Sequence, residues 1–276
     1  MNRISSWLDR RNKRVCTPIP SLHCRAYGMA GGSLVMLAVL LLDGPAGAAR
    51  QHVAPVMDWL GGRITDFGKS DWIICVALFL MFESWAASHI LTSKKGRCRA
   101  RFFSQLAFYV FASVALSGIA ANLVKRAIGR ARPANFDHWG AFGFEPFAGA
   151  ARFESFPSGH STTIGALFMI FGLLFPRHRV TFAILAIWIA MSRVMVGAHY
   201  PSDVIAGLAF GSWFSLMMAI VFSRYGLVFQ TGIHGVPVLR QRLWSGRACH
   251  LGPRISPERQ PMAPISDEQP SGAVAA

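Results

Sequence analysis

The chain has 276 residues and is poor in charge, in acid and in cysteine. Asp, Glu, Lys and Arg make up 15% of it while 53% is apolar, which argues against one or two ordinary soluble domains. Only 13 residues are acidic against 28 Lys and Arg, leaving a formal charge of +15. Such a balance can mark a nucleic-acid binder; the placement of the cations decides otherwise. No repeat of fixed period runs through the chain, which excludes solenoids and propellers. The connections between apolar runs hold no Asp, Glu and His cluster at metal-ligand spacing, and Asp137-His138 is a single adjacent pair.

What is present is a series of six apolar runs: 26–42, 72–91, 102–124, 161–175, 180–198 and 204–222. A helix of about 20 apolar residues crosses a hydrocarbon core of roughly 30 Å. Most of the six approach that length, and the first and fourth are short. The expected fold class is therefore all-α, a polytopic integral membrane protein with six transmembrane helices.

The cations then fix an orientation. They crowd the start of the chain (Arg3, Arg10, Arg11, Lys13, Arg14, Arg25) and the connection after the second run (Lys94, Lys95, Arg97, Arg99, Arg101). They recur at Arg177 and Arg179 and from Arg224 to Arg259. With six spans these regions share one side, the cytoplasm by the positive-inside rule. The other side carries most of the acids, including Asp43, Asp58, Asp66, Asp71, Glu145, Glu154 and Asp203. The basic balance is thus a topology signal, and no nucleic-acid partner is expected. Of five cysteines, Cys75 lies in a span and Cys16, Cys24, Cys98 and Cys249 in cytoplasmic segments, so no disulfide is expected. The basic start, apolar run and Ala46-Gly47-Ala48 also fit a cleaved signal peptide; the favoured reading is a retained helix.

The expected organisation is a basic cytoplasmic tail at 1–25, a six-helix membrane domain at 26–223 and a cytoplasmic tail at 224–276, disordered over its last third. Residues 53–67 form a possible amphipathic stretch at the interface. Residues 134–156 mix seven Phe and Trp with Gly, Pro and a few acids, a composition suited to the headgroup level.

Three stretches carry chemistry. In the first, Lys125 and Arg132 are seven apart, about two helical turns, and share a face if the helix continues that far. Pro133 places Arg132 at the helix end. A guanidinium fork and an ammonium there suit a phosphate. In the second, Pro157-Ser158-Gly159-His160 opens a helix whose free N–H groups make an anion site, with His160 over it as a proton donor. An ordinary turn and cap would explain that tetrapeptide alone. In the third, Arg193 ends one span, His199 lies in the turn, and Asp203 in the next helix can accept from its Nδ1–H. All three fall on the outer face, at the ends of the third to sixth spans.

Together they resemble the type 2 phosphatidic acid phosphatase superfamily, which shares its site with vanadium haloperoxidases. The family pattern is Lys-x6-Arg-Pro, Pro-Ser-Gly-His and Ser-Arg-x5-His-x3-Asp. It is matched in full by Lys125/Arg132/Pro133, Pro157–His160 and Ser192/Arg193/His199/Asp203, and the resemblance covers roughly residues 55–222. It implies that His199 attacks phosphorus to form a phosphohistidine, that Asp203 orients His199, and that His160 protonates the leaving oxygen and then activates water. Lys125, Arg132, Arg193, Ser158 and the Gly159 N–H would hold the phosphoryl oxygens, without metal or cofactor.

The implied enzyme is a metal-independent membrane lipid phosphatase of the bacterial inner membrane, its site facing the periplasm. Substrates that fit are phosphatidic acid, phosphatidylglycerophosphate, undecaprenyl diphosphate and lipid A 1-phosphate. The alternative is a lipid-to-lipid phosphotransferase on the same site; a haloperoxidase fits poorly with six spans, and a relic site poorly with the complete motifs. Two residues stand apart: Glu83 within the second span, read as protonated or paired with a neighbouring helix, and Lys69, a loop cation or a headgroup contact.

Overall fold

The computed structural model describes residues 24–50, 55–232 and 236–240. The expected N-terminal tail as far as residue 23, and the tail beyond residue 240 with its disordered end, lie outside the described residues. The chain is a bundle of helices with one small hairpin. Helix α1 (Cys24–Leu41) meets α2 (Asp43–Ala49) at a 48° bend. Helix α3 (Pro55–Thr65) leads through a turn at Asp66–Gly68 into α4 (Ser70–Ile90), and α5 covers Lys94–Ile128. The short α6 (Phe136–Trp139) lies in the long connection before α7 (Gly159–Leu174), α8 (Arg179–Met195) and α9 (Pro201–Arg224).

Helix limits follow local chemistry. The Ser93 side chain accepts from Gly96 N at the start of α5, and Gly129 closes that helix in the left-handed conformation at φ 62°, where glycine is favoured. Pro201 opens α9, and the Asp203 carboxylate accepts from Tyr200 N at 3.0 Å.

Among the described residues, four stretches are long and apolar enough to cross a membrane: Pro55–Ile90, Lys94–Ile128, Pro176–Met195 and Pro201–Arg224. The bent pair α1–α2 raises that to five. Six spans were expected, and α7 is the one that falls short. Its 16 residues are bounded by the Ser158 cap and by Pro176. At 35 residues α5 is about 52 Å long, more than a hydrocarbon core requires.

Helices α7 and α9 form the centre. Gly207, Gly211, Ser215 and Ala219 make a buried stripe of small residues at four-residue spacing along α9. A Cβ at Gly207 would stand 2.5 Å from Ser158 O, and one at Gly165 2.4 Å from Leu208 O, so the two backbones touch. Toward the other end, Phe102, Tyr109, Ile170 and Phe222 enclose Val228 and Phe229. Phe229 begins β1 (Phe229–Thr231), which pairs antiparallel with β2 (Pro237–Leu239). This hairpin departs from an all-helical expectation and carries the core past Arg224. Leu37, Leu40, Phe79, Phe82, Ile184 and Trp188 are exposed on the outside, as a lipid-facing surface requires.

Of three further expectations, Glu83 and Cys98 meet the structure differently and Lys69 keeps to the loop. Glu83 is exposed on α4 rather than tucked against a neighbouring helix. Lys69 pairs with Asp66 at 2.8 Å. Cys98 is disulfide-bonded, where a cytoplasmic position led to the expectation of free thiols.

Candidate active site

Four helix ends converge where α5 finishes and α7 and α9 begin. Lys125, in the last turn of α5, is buried, and its Nζ would lie 3.8 Å from a Cβ at Gly159. Arg132 does not share its helical face as expected, because Gly129 ends the helix three residues earlier. Arg132 instead sits on extended backbone, φ −78° and ψ 156°, and its N–H donates to Arg152 O. The connection 134–156 folds back on this segment: Ala131 N donates to Gly143 O, and Ser155 N to Arg130 O. Its aromatics divide, with Phe153 buried edge-on to Trp139 and Phe142, Phe144 and Phe147 exposed.

The Ser158 hydroxyl caps α7, accepting from Ser161 N and Oγ, while Ser158 N donates to Asp203 O. His160 packs against Gly68, where a Cβ would come within 3.2 Å of its ring. It lies within electrostatic reach of Arg193, His199, Lys125 and Lys69. Arg193, in the last turn of α8, donates to Thr65 Oγ1 at 2.8 Å. His199 lies in the turn between α8 and α9, 3% exposed. All eight residues singled out from the sequence thus lie around one space.

Partnering divides the polar groups of this space. Arg132 Nε, Arg193 Nε and His199 Nδ1 are buried without a hydrogen-bond partner. The two unpaired guanidinium donors beside Lys125 fit an anion that would satisfy them, whereas His199 Nδ1 is turned toward Asp203. Asp203 Oδ2 lies 3.7 Å from His199 Nδ1, beyond hydrogen-bond length. That oxygen is already engaged by Tyr200 N at 3.0 Å and Ser155 Oγ at 2.6 Å. Burial chiefly pushes His199 down to about 4, with Arg193 and Lys125 adding to it and Asp203 opposing. The imidazole is therefore neutral at neutral pH, with one ring nitrogen free of a proton.

The sequence reading missed Arg130, Asp43, Ser155, Ser202 and Thr65. Arg130 lies between Lys125 and Arg132 in the sequence without being a motif position. It is buried, 2.6 Å from Asp203 Oδ1 and 2.7 Å from Asp43 Oδ2. Burial opposes its charge, but Asp203 and Asp43 outweigh that and hold the guanidinium above its ordinary value. Asp43 had counted only as an acid marking the outer side. Local spacing gave no signal for either.

A model of the PAP2 superfamily matches residues 106–226. A lipid A 1-phosphatase of Rhizobium johnstonii is 50% identical over 234 residues, 85% of this chain and 95% of the relative. One from Rhizobium etli is 50% identical over 223 residues, 81% of this chain and 95% of the relative. The crystal structure of a transmembrane PAP2-type phosphatidylglycerolphosphate phosphatase from Bacillus subtilis is similar at a TM-score of 0.40. It shares 18% identity and covers 78% of this chain and 91% of that one. The relatives define a phosphatase, a hydrolase of phosphoric esters, built on membrane-spanning helices. The chain belongs to the PAP2 superfamily.

Proposed function

We propose that the chain is a membrane lipid phosphatase that removes a phosphate monoester or terminal phosphate through a phosphohistidine, with the 1-phosphate of lipid A as its substrate. The observation that carries this reading is the pair of buried guanidinium Nε atoms on Arg132 and Arg193, without a partner among the described residues, beside Lys125, His199 and the α7 N-terminus. The substrate choice rests on the two lipid A 1-phosphatases, each half identical over 95% of its own length.

In this mechanism Lys125, Arg132, Arg193 and the Gly159 N–H hold the phosphoryl oxygens. His199 Nε2 attacks phosphorus and the bond to the lipid oxygen breaks. Burial and the surrounding cations hold His160 down to about 4; the negative charge of the bound phosphate offsets those cations, lets His160 take up a proton, and His160 gives that proton to the leaving oxygen. His160 then takes a proton from water as it attacks phosphorus, releasing inorganic phosphate and free His199. Asp203 stabilises the cation that develops on the ring. Charge on the transferring group is met by fixed cations, so no metal is required. The site belongs on the periplasmic face, because the basic connections fall on the opposite side, and counting the short α7 as the sixth span puts both termini in the cytoplasm.

Phosphate release from lipid A and from glycerophospholipid and polyprenyl phosphates, in detergent with chelator, tests the proposal. Lipid A should be turned over fastest, and His199→Ala should abolish turnover in a protein that still inserts and folds. Near-normal activity in that variant removes the nucleophile, and chelator sensitivity removes the metal-free mechanism. A labelled phosphate that moves to an added acceptor lipid rather than to water makes the enzyme a phosphotransferase.

A further inference from the structure

Arg130 lies two residues from Arg132 and behaves oppositely. All five of its N–H groups are used: Nε and one Nη2 hydrogen to Ala141 O, the other to Asp43, and the two on Nη1 to Ser202 Oγ and Asp203 Oδ1. Its Cζ also lies 4.4 Å from the centre of the Tyr200 ring. Nothing remains to bind a phosphate. Asp43 is equally committed, with Oδ1 accepting from Ser202 N at 3.0 Å and Oδ2 from Ser202 Oγ at 2.5 Å and from Arg130. Both residues are 4% exposed or less at the side chain. A buried ion pair this fully bonded is costly to assemble and is kept where it fixes a geometry.

We propose that Asp43 and Arg130 are positioning residues for phosphoryl transfer: the pair holds the Asp203 carboxylate behind His199 and sets how strongly that carboxylate stabilises a positive imidazole. The inference rests on His199 as the nucleophile. Arg130 occupies Oδ1 of Asp203, leaving Oδ2 as the edge that faces His199. Asp43 offsets part of the Arg130 charge. Without Asp43, Arg130 would neutralise Asp203 more completely and weaken its support of the imidazolium. Without Arg130, Asp203 would face His199 as an undiminished anion.

The other charges facing His199 are Lys125 from α5, His160 from α7 and Arg193 from α8. Arg132, beside Lys125 and Arg193, completes the set. These stay in place in the test. The His199 titration is read by NMR on 13C-histidine-labelled protein in detergent, its signal assigned by loss in His199→Ala, together with kcat and KM. Asp43→Asn should lower the midpoint by about half a pH unit and Arg130→Gln should raise it by a similar amount. In both, kcat should fall about ten-fold with KM within about two-fold, because neither side chain touches phosphate. Arg130→Lys should restore the midpoint and part of kcat.

Unmoved midpoints in folded variants, or a raised KM with kcat kept, overturn the inference. If Arg130→Gln fails to fold, Asp43→Asn decides by the same criteria. An active His199→Ala overturns the nucleophile itself, whereas an inactive one with unmoved midpoints removes only the role of Asp43 and Arg130.

Discussion

Gly211 is the most exacting contact between the two halves of the site, and Gly211→Ala perturbs it with a single methyl group. A Cβ there would stand 2.0 Å from Thr162 O and 2.9 Å from Ala166 N, where ordinary contact begins at 3.4 Å. Both obstacles are backbone, so no side chain can turn aside. The helices α7 and α9 must part by about 1 Å, carrying Ser158 and His160 on one away from Asp203 on the other. A displacement of that size costs about 100-fold in rate. Overpacking costs about 1–3 kcal/mol of stability, offset by up to ~1 kcal/mol because Ala favours a helix over Gly. Gly118→Ala is the control: it is also inside a helix, and a Cβ there meets nothing within 4 Å. Phosphate release and thermal unfolding in detergent should show Gly118→Ala unchanged or slightly stabilised. Gly211→Ala should be strongly impaired in kcat yet folded. If Gly211→Ala keeps the wild-type rate, the close approach of these helices does not set the site.

Three other outcomes follow from the geometry. His199 is held at about 4, against about 6.5 unfolded, so the stability it contributes is complete above pH 6.5. That stability, on the order of 3 kcal/mol, is lost as pH falls toward 4. Unfolding measured from pH 7.5 to 4.5 should decline less steeply in His199→Gln, and parallel curves would contradict the burial argument. Thr65→Ala frees Arg193 Nη1 from its 2.8 Å bond and should lower kcat/KM several-fold, about 1 kcal/mol, with Thr65→Ser restoring it; equal rates would show that Arg193 is held otherwise. His160→Ala should slow an alkyl phosphate far more than an activated aryl phosphate, and equal losses would remove its role as proton donor.

The motif residues were legible because their relations are local. Asp203 follows His199 by four positions, and the Ser158 cap bonds to Ser161 three positions on. The space they share depends on helix ends, which apolar runs locate well. The partners that hold them were not legible. Arg130 reaches Asp43 across 87 positions and Arg193 reaches Thr65 across 128, distances at which spacing carries no information. The overrun of α5 to Arg132 has a different cause: helical periodicity was extended through Gly129, whose left-handed cap ends it. The small-residue stripe on α9 escaped notice because a span apolar on every side shows no contrasting face.

The bend after Leu41 also bears on what counts as the enzyme. It delivers Asp43 into the cluster around Asp203 from a helix that lies well before residue 106, where the family match starts. A chimera that transplanted only the motif-bearing helices would carry every recognisable residue and still strand Arg130 with one carboxylate of its two. The working unit is larger than its signature, and grafting it means taking the first helix along.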